Sequence, residues 1–84
     1  MKMKIDIIHE YKRAIIFKTR QSLVHVVKVN GIFYNGIIKE VNTKWFILDD
    51  RENGDQYILF NELKKSIELF KIGDNLNEWN RNRF

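Results

Sequence analysis

The sequence predicts a mainly β fold, in which an N-terminal α-helix is followed by a strongly bent, five-stranded antiparallel barrel of the SH3-like type. Three observations carry this reading. The apolar residues from about 5 to 20 recur at helical spacing, the chain from about 22 to 70 falls into five short β-prone segments parted by turn signals, and Gly36 sits in the middle of one of them. With 84 residues, 44% hydrophobic and 13% aromatic, the chain suits one folded domain with a modest core, expected over residues 1–70 with a tail at 71–84.

The helix is expected from about Asp6 to Arg20. Ile8, Tyr11 and Ile15, together with Ile5 and Ile16, fall three, four, seven or eight residues apart and predict the inward face, while Lys12, Arg13 and Lys18 lie elsewhere on the wheel. Leu23 to Val29 predicts the first strand, and Asn30-Gly31 suits the positive φ angles of a type I′ hairpin turn. Ile32 to Val41 returns as the second strand, where Gly36 permits a sharp bend or a close backbone approach. Asn42-Thr43-Lys44 reads as a turn, Trp45 to Asp49 as the third strand, and the polar run from Asp50 to Asp55 as a loop with Asn53-Gly54 at its tip. Tyr57 to Phe60 predicts the fourth strand, Asn61 to Lys65 a turn or a single helical turn, and Ser66 to Phe70 the fifth strand. The segment Val27–Asp50 is apolar on both faces of its strands, so something beyond one barrel interior must cover the second face.

Composition excludes several function classes. Without cysteine there are no disulfides, thiolate metal sites or cysteine nucleophiles, and His9 and His25 have no partner at metal-ligand spacing. The acidic residues Asp49, Asp50, Glu52 and Asp55 lack the alternation of a calcium loop and read as a solvated hairpin end. No catalytic constellation or phosphate-cradling glycine loop is present, so the protein is expected to be no enzyme and to need no cofactor. Asp6, His9, Glu10, Lys12 and Arg13 interrupt the apolar start, which predicts a cytoplasmic protein with no membrane span. The net charge of +4 is concentrated in residues 1–22, which hold six basic and two acidic side chains. Such a face attracts phosphate backbones or acidic protein surfaces.

The order of one helix and five strands resembles the Sm, LSm and Hfq superfamily of ring-forming RNA-binding proteins. The resemblance covers roughly residues 5–70 and is carried by Val29-Asn30-Gly31 followed by Phe33-Tyr34-Asn35-Gly36, whose glycines match the turn and bend glycines of the first Sm motif. Ile38 and the run Phe46-Ile47-Leu48-Asp49-Asp50 match the rest of that motif, and the hairpin is closest to that of Hfq. Two departures stand beside these matches. The Asp and Asn with which Sm proteins hold a uridine are here Asn42 and Phe46, and the Arg-Gly or Tyr-Lys-His of the last loop is replaced by Phe60-Asn61-Glu62 followed by Lys64 and Lys65.

The resemblance implies a ring subunit that binds single-stranded RNA without catalysis and assembles with itself as a hexamer or heptamer. In the family's rings the fourth strand of one subunit pairs with the fifth of the next, which makes Tyr57, Ile58, Phe60, Ile67 and Leu69 the candidate interface. Candidate RNA-binding residues are Asn42, Lys44 and Trp45 in the loop where the family reads a base, and Asn61, Lys64 and Lys65 in the last loop. Trp45 is equally suited to be the first core residue of its strand, and the tail residues Trp79, Arg81, Arg83 and Phe84 could stack on RNA or pack on the domain. The alternative is an SH3-like protein-interaction module whose exposed aromatics bind a protein partner, with RNA irrelevant.

Overall fold

The computed structural model describes residues 5–70. The helix α1 (Ile7–Arg20) is followed by strands β1 (Leu23–Val27), β2 (Phe33–Val41), β3 (Trp45–Asp50) and β4 (Gly54–Leu59), a 3-10 turn at Phe60–Glu62, and β5 (Glu68–Leu69). The strands form one antiparallel sheet in the order β4-β3-β2-β1-β5. This is the bent, mainly β fold of the Sm type that the sequence predicts. The residues Trp79, Arg81, Arg83 and Phe84 lie outside the described residues.

Local chemistry sets the limits of the helix. Asp6 is the N-cap and its Oδ1 accepts the His9 N–H at 3.2 Å, while Gln21 ends the helix in the left-handed region at φ 53°. The inward face matches the apolar spacing only in part: Ile5 and Tyr11 pack on the core, but the other predicted residues do not. Glu10, Ala14 and Phe17 are buried, whereas Ile8 is 68% exposed and Ile15 and Ile16 also face solvent. Glu10, Ala14 and Phe17 are themselves a stripe at i, i+4 and i+7, and the carboxylate is tolerated inside because it is hydrogen-bonded: Ser66 Oγ donates to Oε2 at 2.5 Å and the Ile67 N–H to Oε1 at 2.9 Å. Arg13 beside it donates from Nε and Nη2 to the Ile67 carbonyl at 3.0 and 2.6 Å, and its guanidinium lies 5.0 Å from the centre of the Phe17 ring.

The β1–β2 connection also departs from expectation. Gly31 takes φ 91°, but among the described residues Gln21 is the one non-glycine at positive φ, so Asn30 does not complete a type I′ turn. The Gly31 N–H instead bonds the Lys28 carbonyl at 2.9 Å, and Asn30 Oδ1 accepts the Ile32 N–H at 3.0 Å. The loop is a tight turn closed by a left-handed glycine.

Two features bend β2. Gly36 pairs with Val24 on one side and Asp50 on the other, and a Cβ there would collide with the Asp49 carbonyl oxygen and lie 2.7 Å from its carbon. A bulge between Ile38 and Glu40 adds curvature three residues further on. The curled sheet is fastened by backbone bonds from Val29 N to Glu62 O and from Lys64 N to Val27 O, each 2.8 Å, which stitch the 3-10 turn to the end of β1.

Strand alternation then fills the interior. Val24, Val26, Ile38, Phe46, Leu48, Ile58, Phe60, Leu63 and Ile67 form the core, and Ala14 and Phe17 close it from the helix. Phe46 and Phe60 lie 5.2 Å apart between ring centres, and Tyr11 meets Phe60 edge-on at 6.3 Å. The helix thus covers the open end of the barrel, while the outer face keeps Phe33, Tyr57 and Leu59 exposed.

Candidate nucleic-acid interface

The turn between β2 and β3 is built by Asn42. Its Oδ1 accepts the N–H groups of Lys44 at 2.8 Å and Trp45 at 2.9 Å, and its own N–H bonds the Trp45 carbonyl at 2.9 Å. Both lone pairs of the side-chain oxygen are therefore used within the loop, so Asn42 shapes the turn and its acceptor is occupied. Lys44 is thereby held at the tip, exposed, with its carbonyl accepting the Phe60 N–H at 3.0 Å. That bond places the 3-10 turn beside the β2–β3 turn. Lys44 and Asn61, seventeen positions apart in sequence, line one cleft of about 300 Å³ with Ile7, Thr43 and Leu59.

A second cleft, of about 410 Å³, opens between the start of α1 and the segment after the 3-10 turn. Lys64, Lys65 and Ser66 line it from one side and Ile5, Asp6, His9 and Glu10 from the other. The two lysines differ in their surroundings. Lys65 Nζ is 2.7 Å from Glu68 Oε2, whereas Lys64 has no ionic partner among the described residues. Sequence reasoning missed the helix contribution to both clefts, because Asp6 and His9 meet Lys64 only through the folded barrel.

Trp45 does not line either cleft. It is half-buried on the outer face of the sheet, where its ring centre lies 4.9 Å from that of Tyr57 on β4. Of the interface candidates, Tyr57 is 67% and Leu69 53% exposed on the two edge strands. Ile58, Phe60 and Ile67 are corrected: all three are fully buried in the barrel core, the first two because alternation along β4 turns Tyr57 and Leu59 outward and their neighbours inward, and Ile67 because its segment is drawn onto the helix by the Glu10 and Arg13 bonds. Their side chains are not available to another subunit.

Two polar side chains have structural roles. Asp50, read as part of a solvated hairpin end, is buried; Oδ1 accepts the Asn35 N–H at 2.9 Å, and Oδ2 accepts from the Glu52 and Asn53 N–H groups and from Asn53 Nδ2 at 2.9 to 3.1 Å. His25 is half-buried, with Nδ1 2.5 Å from Asn35 Oδ1 and its ring between Phe33 and Phe70. Lys39 donates to both carboxylate oxygens of Asp55 at 3.0 and 3.1 Å, and that hydrogen bond, followed by the carboxylate's charge, raises its pKa above the ordinary lysine value. Among the described residues no group of histidine, aspartate and glutamate could hold a metal ion, and no helix is long and apolar enough to cross a membrane.

A bent five-stranded sheet capped by an N-terminal helix, with lysines and an amide at the loops flanking that helix, defines an Sm-type small barrel. Its likeness to a solved protein is specific: the crystal structure of the pleiotropic translational regulator Hfq superposes with a TM-score of 0.61 over 69% of this chain and 93% of that one, at 22% sequence identity. Identity at that level speaks for the fold. No family model matches the sequence, and no curated protein matches it.

Proposed function

We propose that this chain is a cytoplasmic, non-catalytic subunit of an Sm-like ring, and that it binds single-stranded RNA on the face where α1 meets the β2–β3 turn and the 3-10 turn. The observation that carries the reading is the convergence of Lys44 and Asn61 in one cleft beside a second that holds Lys64 and Lys65. A lysine at the mouth can meet a phosphate, and the Asn61 amide can donate to and accept from a base edge. Asn42 sets the loop, and the half-buried Trp45 offers an aromatic edge on the adjoining outer face. The likeness to a translational regulator supports RNA as the partner.

The sheet order supports assembly, because it leaves β4 and β5 as the two edges. Antiparallel addition of one copy's β4 to the β5 of the next would cover Tyr57 and Leu69 and, repeated six or seven times, close a ring without free edges. Light scattering is expected to give the mass of a hexamer or heptamer, and Tyr57→Lys a smaller, folded species. Fluorescence anisotropy with labelled A-rich and U-rich oligonucleotides tests the RNA reading. Log affinity should fall with log salt at about −0.7 per phosphate contact, and replacing Lys44 and Lys64 by Ala should flatten the slope. A folded oligomer that binds neither oligonucleotide at low salt leaves the second reading, a protein-interaction module. The outward Ile8, Ile15 and Ile16 of α1 are the observation that favours it.

A further inference from the structure

The larger cleft has a chemistry that the RNA reading alone does not use. Three of its polar groups lack a partner among the described residues: Asp6 Oδ2, the His9 ring and the Lys64 ammonium. The others are committed. Glu10 is bonded through both oxygens to Ser66 and Ile67, and Lys65 is paired with Glu68. Ile5 supplies an apolar wall. A carboxylate acceptor, a flat imidazole, an aliphatic surface and a cation in one recess match the parts of a nucleotide in turn: base edge, base face and phosphate.

Resting on the RNA reading above, we infer that this cleft is a second nucleotide subsite, separate from the one at Lys44 and Asn61, and that it selects guanine. The selectivity follows from the acceptor. Guanine alone among the four bases presents two parallel N–H donors, N1–H and N2–H, on its Watson–Crick edge, and a carboxylate accepts both. Uracil presents one donor between two carbonyl oxygens, which the Asp6 carboxylate repels. Adenine and cytosine each offer an amino group beside an unprotonated ring nitrogen, so one oxygen of the carboxylate faces a lone pair. Asp6 Oδ1 already receives the His9 N–H, but a carboxylate oxygen accepts two hydrogen bonds, so capping the helix and reading a base are compatible. His9 and Ile5 line the same cleft and supply a ring and an apolar surface for the base face, and Lys64 a cation for its phosphate.

The test compares labelled oligouridylate with an oligonucleotide of equal length that alternates uridine and guanosine, using the oligomeric full-length protein. The wild-type protein is expected to bind the alternating strand about tenfold more tightly, the discrimination of one bidentate base contact. Asp6→Asn keeps an N-cap oxygen for the His9 N–H but loses the second acceptor, and should bring the two affinities within about twofold while the melting temperature holds. Inosine, which lacks the N2 amino group, should lose most of the advantage against the wild-type protein and change little against Asp6→Asn. Lys64→Ala should weaken both strands alike and flatten the salt dependence. If oligouridylate binds and guanosine confers no advantage, or if the advantage survives Asp6→Asn, the subsite assignment is overturned and the RNA reading stands. If neither strand binds, both fall together.

Discussion

Among the described residues two carboxylates are buried, and they do different kinds of work. Asp50 closes a corner: its four hydrogen-bond donors come from Asn35 across the strand pair and from Glu52 and Asn53, two and three residues ahead. Glu10 is a tether, receiving Ser66 and Ile67 from 56 and 57 residues away and so holding the helix to the last strand. The corner's turn donors lie at a loop whose Glu52 and Asn53 are exposed, so water can replace the aspartate in part. The Ile67 N–H is buried, so it loses its partner with the glutamate. How much a buried charge contributes is decided less by the number of its bonds than by what happens to the donors without it.

The largest expected effect breaks the corner through its backbone. Gly36 sits opposite Asp50, and Gly36→Val would drive side-chain atoms into the Asp49 carbonyl, so a loss of about 4 kcal/mol or more, or failure to fold, is expected in denaturant titrations. Glu10→Ala should cost about 3 kcal/mol, because it orphans a buried N–H and leaves a cavity, and Glu10→Gln should recover part of that through its remaining oxygen. Asp50→Ala should cost about 2 kcal/mol despite losing more hydrogen bonds; a cost above that of Glu10→Ala would reverse the ranking of tether and corner. Replacing Asn30-Gly31 by Ala-Ala should cost about 1 kcal/mol, confined to one exposed turn. The smallest effect belongs to the exposed Lys39–Asp55 pair. Its folded pKa is raised, so its contribution is fully present below the ordinary lysine pKa and is lost as pH rises through the folded value. Lys39→Ala should therefore match the wild-type melting temperature at strongly alkaline pH and fall slightly below it at neutral pH.

The elements of this fold were legible because their signals are local. Turn residues, β-prone runs and the mid-strand glycine each act within a few positions, and the strands begin and end within about three residues of where the sequence places them. The inward face of α1 was legible only in part, since charge is ordinarily read as outward and only the distant Ser66 and Ile67 make Glu10 an inward residue. The same limit governed the site. Lys44, Asn61, Lys64 and Lys65 were readable as basic or amide loop positions, but the clefts need Ile7, Asp6 and His9, which no spacing rule connects to them. Ile58, Phe60 and Ile67 were misassigned for a related reason: apolar character is visible along a strand, whereas which side meets a core depends on register.

The Glu10 tether also orders events in time. During synthesis the helix emerges before the strands, carrying a carboxylate whose partners Ser66 and Ile67 are made much later. Arg13 waits for the same residue, 54 positions later. The apolar side of the helix, Ala14 and Phe17, packs with Val24, Val26 and Ile38, which are made early, whereas its polar fastening to Ser66 and Ile67 joins the two ends of the fold and closes the longest loop in it. Until that loop closes, the Glu10 carboxylate and the Arg13 guanidinium keep water as their partner.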